Sequence, residues 1–187
     1  MVFGFVPVET FNNSHGDNWE KYISWSKLYK LNEVISLDCS LCPLVINKIE
    51  QKYKTIVSYD YGCCKIFNNL EWVLKRTENI KDKQVLAVLR NPTKESENKL
   101  NLKNFYFCGY DLIDEDSGIS TLLNCRGFDK AFTADDLSTS GLIYDYQRAI
   151  KIQKSLIEYY PDDEHAYCTL WAIWKMKIST GTGYQSY

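Results

Sequence analysis

The hydrophobic pattern of this chain is strongest over residues 104–176. Aromatic and branched side chains at residues 105–113 predict a strand, and residues 119–123 predict its returning partner in a hairpin. The acidic residues and the glycine between them are typical of a turn. Residues 166–176, rich in Trp and Ile, predict a final strand. This part of the chain is therefore expected to hold much of a β-sheet.

One helix is strongly indicated before the last strand, at residues 145–160. Asp145 precedes it as a capping residue, and Pro161 ends it. Its apolar and aromatic positions recur at steps of three and four, which places them on one face. That face comprises Tyr146, Ala149, Ile150, Gln153, Leu156, Ile157 and Tyr160. We expect it to pack on the sheet.

The N-terminal half has shorter patterns. Apolar runs predict strands at residues 2–6, 55–61 and 84–90, the last of them buried on both faces. The polar residues 93–103 predict a loop. Apolar spacing and capping residues predict three helices: residues 18–28, a helix that begins at Pro43 and includes Tyr53, and one that follows a cap at Asn68 or Asn69 and runs to Arg76.

Together these elements predict a fold of the α+β class. We expect a largely antiparallel sheet of about four to six strands with helices packed on it, and a helix followed by a strand at the C-terminal end. The chain has 187 residues, a length usual for one domain. Residues 1–178 are expected to form that single domain, and residues 179–187 a flexible tail.

Charge and composition narrow the function classes. The net charge of −2 and the pI of about 5.7 give no basic footprint for nucleic acid. No apolar run approaches the length of a membrane span, and the first residues lack the pattern of an export signal. We therefore expect a cytoplasmic protein in which the seven cysteines are mostly reduced and buried.

Two cysteines have the spacing of zinc and thiol redox sites, Cys39 and Cys42. The adjacent Cys63 and Cys64 supply two more thiols, but neighbouring cysteines rarely reach one metal ion together. Buried thiols in a reducing cell are the more ordinary explanation, so the sequence predicts no metal and keeps this pair as a minor alternative.

A cysteine nucleophile is the second candidate, with Cys125 after a predicted strand and His165 as its base. Either Asp111 or Asp114 is placed to orient the imidazole of His165. No known motif spacing supports this group, and His165 also follows three acidic residues, as expected of a solvated loop. A hydrolase or transferase therefore stays an alternative.

Acidic residues also cluster near predicted turns. They offer oxygen ligands for Ca²⁺ or Mg²⁺, or a surface for a basic partner, although most such charges are simply solvated. The candidates for partner binding are Asp114, Glu115, Asp116, Asp162, Asp163 and Glu164. Phosphate-binding, zinc-helix and serine-hydrolase motifs are absent from the sequence, and we expect no cofactor.

Several short segments resemble a bacterial family of uncharacterised cytoplasmic proteins. They are FCGYDL at residues 107–112, NCRGFD at 124–129, GLIYDY at 141–146, and residues 160–161, 165–166 and 171–174. The resemblance covers the C-terminal half best and implies no activity or catalytic residue. Small acidic α+β proteins are similar in type to immunity proteins, which block a toxin. We therefore expect a non-enzymatic domain with a basic or toxin-like protein partner, no nucleic acid and no membrane.

Overall fold

The computed structural model describes residues 2–46, 48–61, 64–100 and 102–177. The expected tail at residues 179–187 lies outside them. The strands are β1 (Phe3–Glu9), β2 (Phe11–Asn12), β3 (Glu33–Val34), β4 (Val57–Tyr61), β5 (Cys64–Phe67), β6 (Lys83–Arg90), β7 (Phe105–Asp114), β8 (Ile119–Ser120) and β9 (Thr169–Met176). The α-helices are α1 (Asp17–Ser26), α2 (Leu70–Thr77), α3 (Lys94–Asn98) and α4 (Tyr146–Tyr159). Short 3₁₀ turns form at Asn13–His15, Gln51–Ile56, Ala134–Asp136 and Glu164–Ala166.

Seven of these strands form one sheet in the order β4-β5-β1-β6-β9-β7-β8, and every pairing in it is antiparallel. The α+β class and the antiparallel sheet are thereby confirmed. The predicted range of four to six strands was too low. The unpredicted strand is β5, which has only 4 residues. It is held by its pairing with β4 and β1 rather than by a strong pattern of its own.

The centre of the sheet is buried on both faces. In β6 the six residues between Lys83 and Arg90 are all buried, as the continuous apolar run predicted. In β9 the five residues from Leu170 to Trp174 are buried as well. Residues 86–90 of β6 pair with residues 171–175 of β9, and β9 pairs with β7 on its other side, so the buried centre of the sheet lies next to the hairpin of β7 and β8.

Helix α4 packs on β7 and β9, but the residues that it buries differ in part from the predicted face. Its fully buried residues are Ala149, Ile152 and Leu156. The predicted face omitted Ile152 and included Ile157, whose side chain is 41% exposed. Asp145 caps the helix as expected, since its carboxylate accepts the backbone N–H of Arg148 at 2.7 Å.

Two other predictions were wrong. The helix expected from Pro43 does not begin there, because the chain extends along β1: the N–H of Glu9 donates to Pro43 O at 2.8 Å, and Val8 bridges Leu44. In the described part of the predicted range, only the short 3₁₀ turn at Gln51–Ile56 forms, and it includes Tyr53. The polar residues 93–103 were expected to be only a loop, but they contain α3. Thr93 and Ser96 form a reciprocal capping box at the start of that helix. These hydrogen bonds stabilise the helix although it has no apolar residues to bury.

Candidate functional site

Four buried polar side chains join the β7–β8 hairpin to the loop that follows β3. Asp111 accepts hydrogen bonds from Ser120 Oγ at 2.6 Å, from the Leu112 N–H at 2.8 Å and from Ser36 Oγ. Asp38 accepts the N–H of Ser120 at 2.7 Å. All four side chains are completely shielded from solvent. This network locks the loop to the hairpin, and the carboxylate of Asp111 has no open side on which to meet a substrate.

The environment of Asp111 favours its neutral form. Burial raises the pKa of this carboxyl group to about 6, although the hydrogen bonds from Ser120 and Ser36 oppose the shift. The charge of Asp38 adds to the increase. Asp111 is therefore a structural group that titrates just below neutral pH. It makes no contact with His165.

The carboxylate that does orient His165 belongs to Asp114. Its Oδ2 lies 2.7 Å from Nδ1 of the imidazole and also accepts the hydroxyl of Ser117 at 2.7 Å. Burial disfavours the charged form of Asp114, but the bonds from Ser117 and His165 prevail and lower its pKa. An ionised carboxylate can only accept, so Nδ1 of His165 carries the proton. The other ring nitrogen, Nε2, lies 4.0 Å from the exposed carboxylate of Glu164.

The predicted nucleophile, Cys125, is half-buried beside several acids. Burial raises the pKa of this thiol to about 12, and the negative charges of Asp38, Asp114 and Asp163 add to the effect. A thiolate is thus strongly disfavoured at neutral pH. Among the residues that the structure describes, no hydrogen bond joins the thiol to His165. The structure therefore pairs His165 with an acid but does not activate Cys125.

The two cysteines of the alternative zinc or thiol site differ in their chemical state. Cys39 is disulfide-bonded, which differs from the expected reduced state. Cys42 is a free thiol that is 1% exposed. Burial raises the pKa of Cys42 well above its usual value, and the charge of Asp38 raises it further. Within the described ranges no three His, Cys, Asp or Glu side chains are grouped as metal ligands.

The acidic partner-binding candidates fall into two groups. The carboxylate of Asp114 already binds His165 and Ser117. Glu115 forms a bidentate ion pair with Arg90, with N–O distances of 2.7 and 2.8 Å, and accepts a hydrogen bond from the hydroxyl of Tyr59 at 3.0 Å. Asp116 is exposed on the same turn. The pair between Asp114 and His165 brings this turn next to the second group, which is Asp162, Asp163 and Glu164.

The second group belongs to a surface that is acidic and aromatic, here called the 159–167 surface. It surrounds an open depression of about 570 Å³ lined by Tyr159 to His165. Tyr159 is 48% exposed and Tyr167 is 56% exposed. The hydroxyl of Tyr167 donates to Pro161 O at 2.8 Å, which holds that ring at the edge of the depression. Residues 159–167 contain three carboxylates and neither Lys nor Arg.

Some residues of this region were missed by the sequence analysis. Arg90 and Tyr59 lie in strands that are distant from the hairpin in sequence. No local sequence pattern therefore predicts their contact with Glu115. Ser36 and Asp38 did carry a local sequence signal. A serine hydroxyl or a carboxylate that accepts a backbone N–H two residues later is a common turn, and both residues do so here.

In comparisons with known proteins, no protein-family model, curated protein or solved structure matches the chain. In the part of the chain that the structure describes, no helix has both the length and the apolar character needed to cross a membrane. The functional argument therefore rests on the geometry of the site.

Proposed function

We propose that this chain is a non-enzymatic protein-binding domain, immunity-like in type, which holds a basic protein partner on its 159–167 surface. The observation that carries the proposal is the juxtaposition of exposed tyrosines with carboxylates that have no Lys or Arg partner among the described residues. Tyrosine is a frequent anchor of protein interfaces. Carboxylates around such anchors attract a basic partner and fix its orientation.

The local structure supports binding by a preformed surface. Asp163 accepts the N–H of His165 at 2.9 Å and so caps the short 3₁₀ turn that follows. Tyr160 accepts the N–H of Lys130 through its hydroxyl at 3.0 Å and packs against Phe128. A surface ordered before binding loses less conformational entropy when a partner arrives.

The test is affinity capture from the native host with the wild-type chain and a charge-reversed variant, D162K with E164K. We expect one basic protein to be retained by the wild type, to be released by high salt, and to be bound at least about tenfold more weakly by the variant. Asp163 is left intact because it caps the turn. The matched control is E71K with E78K, which changes the same charge on α2.

The proposal fails if no protein is retained specifically by the wild type. It also fails if the same protein is retained equally by the wild type and by D162K with E164K. Circular dichroism of both double variants, compared with the wild type, establishes that any difference in capture comes from the surface and not from unfolding.

A second candidate function is favoured by one observation, the bond between Asp114 and His165. A carboxylate that holds Nδ1–H leaves Nε2 as a base, which suits acid–base catalysis.

The cysteine-dependent form of this hypothesis requires a reactive Cys125. We expect the opposite, that Cys125 reacts with iodoacetamide at pH 7 no faster than a buried thiol. Rapid alkylation that is lost in H165A would instead support the cysteine enzyme.

A further inference from the structure

A small apolar cavity lies on another part of the molecule, where the end of α1 meets the segment after the 3₁₀ turn at Ala134–Asp136. Its volume is about 170 Å³. Its apolar lining is contributed by Leu28, Leu31, Ala134 and Leu137. An apolar cavity of roughly 150 Å³ is known to accept a benzene ring. The space here therefore fits one ring or one short branched chain.

Hydrogen bonds fix both walls of this cavity. On one side the N–H of Leu31 donates to Leu28 O at 3.1 Å, and the N–H of Asn32 donates to Thr139 O at 2.8 Å. On the other side the N–H of Ser138 donates to Leu142 O at 2.8 Å. The ion pair between Lys30 and Asp135 connects the two walls at the surface. The cavity is thus part of the folded structure and needs no rearrangement to form.

Lys27 is an exposed residue that contributes to the lining of the cavity. This residue lines both the apolar cavity and an adjoining one of about 300 Å³. Lys30 is already paired with Asp135, whereas no described carboxylate pairs with Lys27. Arg126, which lines the adjoining cavity, lies over the ring of Trp25, 5.7 Å from its centre. Of these three cations, Lys27 is the one for which the described residues show neither an ion pair nor an aromatic contact.

The backbone at Lys27 is unusual as well. It ends α1 in the left-handed conformation, with a φ of 63°, and its N–H donates to Ile23 O at 2.9 Å. Helices that end in this way usually have glycine at that position, because other side chains strain the backbone. The strain does not by itself imply binding, but it makes glycine a substitution that removes the charge without damaging the fold.

We propose that this cavity binds a small aromatic or branched monocarboxylate, with the apolar group among Leu28, Leu31 and Leu137 and the carboxylate on the ammonium group of Lys27. Apolar packing supplies most of the binding in such a site, and one charged group sets the preference for an anion. This site is independent of the 159–167 surface and of the proposed protein partner.

The experiment is a titration of the purified chain with three probes that share one ring: benzoate, benzyl alcohol and benzylamine. The leucine methyl signals of Leu28, Leu31 and Leu137 are followed by NMR. We expect benzoate to bind about three to ten times more tightly than benzyl alcohol, and benzylamine to bind most weakly, because an exposed ion pair contributes modestly. In K27G, the preference for benzoate over benzyl alcohol should disappear.

The control variant is K94A, which removes a lysine on α3 and should leave all three affinities unchanged. K27G should unfold at the same temperature as the wild type or a higher one, since glycine suits the left-handed backbone. The proposal is overturned if no probe shifts these methyl signals, if the three probes bind equally, or if K27G keeps the preference for benzoate.

Discussion

Asp111 and Asp114 show how hydrogen bonds decide the ionisation of two buried carboxyl groups in one strand. Asp111 has its pKa raised to about 6, chiefly by burial. Its contribution to stability is therefore complete below the unfolded value of 3.8 and is lost as the pH rises through 6. For Asp114, burial is outweighed by the bonds from Ser117 and His165, and the pKa is lowered. The contribution of Asp114 to stability is present above the pKa of this group in the unfolded chain and is lost on acidification.

Replacement of Asp111 by asparagine should remove one component of the pH dependence. From pH 7 to pH 4 the wild type should gain roughly 2 to 3 kcal/mol of unfolding free energy relative to D111N, because only the wild type can take up a proton at that site. Urea unfolding of both proteins across this pH range measures the difference. A constant difference between the two proteins would show that Asp111 does not titrate near pH 6.

The choice between Asp111 and Asp114 as the partner of His165 was not accessible from sequence. The two residues are three positions apart in a strand, so their side chains point to opposite faces of the sheet. Which of them meets the imidazole depends on where residues 160–166 dock, and that is set by the packing of α4 and β9. The sequence could therefore suggest that an aspartate orients His165 but not which of the two does so.

Helix α4 shows the same limit at the level of an element. Its start at Tyr146, its end at Tyr159 and the cap at Asp145 agree with the pattern of the sequence. The rotation of the helix about its axis was predicted less well, because Ile150, Ile152 and Ile157 are equally apolar and only the facing strands select among them. Strand β5 was missed because it is short and is held by its pairing with β4 and β1, and the extended residues beside β1 were missed because a long-range contact holds them.

The difference in burial between Leu156 and Ile157 provides a direct test of that rotation. Leu156 is completely buried, so L156A should lower the unfolding free energy by about 2 to 5 kcal/mol. I157A removes a side chain that is 41% exposed and should cost under about 1 kcal/mol. Chemical denaturation of the two variants measures both values. Equal losses would contradict the observed orientation of α4.

The whole molecule is organised around a sheet whose central strands are far apart in sequence. Strand β1 pairs along its full length with β6, and β6 pairs with β9. The edge strand β4 is paired on one side only, with β5, and its register with β5 shifts between Val57 and Tyr59. A buried and doubly paired strand opens only when the entire fold does, whereas an edge strand can open locally.

Native-state hydrogen exchange should reveal this hierarchy. The amide protons of β6 and β9 are expected to exchange with the free energy of global unfolding. Those of Ser58 and Asp60 in β4 should exchange through local opening that costs several kcal/mol less. Exchange at uniform free energy in all these strands would mean that the edge is as firmly held as the centre.

The position of β1 in the sheet also has a consequence for biosynthesis. Residues 3–9 leave the ribosome before the other strands of the described sheet, yet their main partner is residues 83–89, and the next strand of the sheet is residues 169–176. At about 5 to 20 residues per second, the nascent N-terminal segment waits several seconds for its first neighbour and longer for the closing strand. During translation its apolar residues stay available to chaperones, and the central sheet is completed only as the last strand emerges.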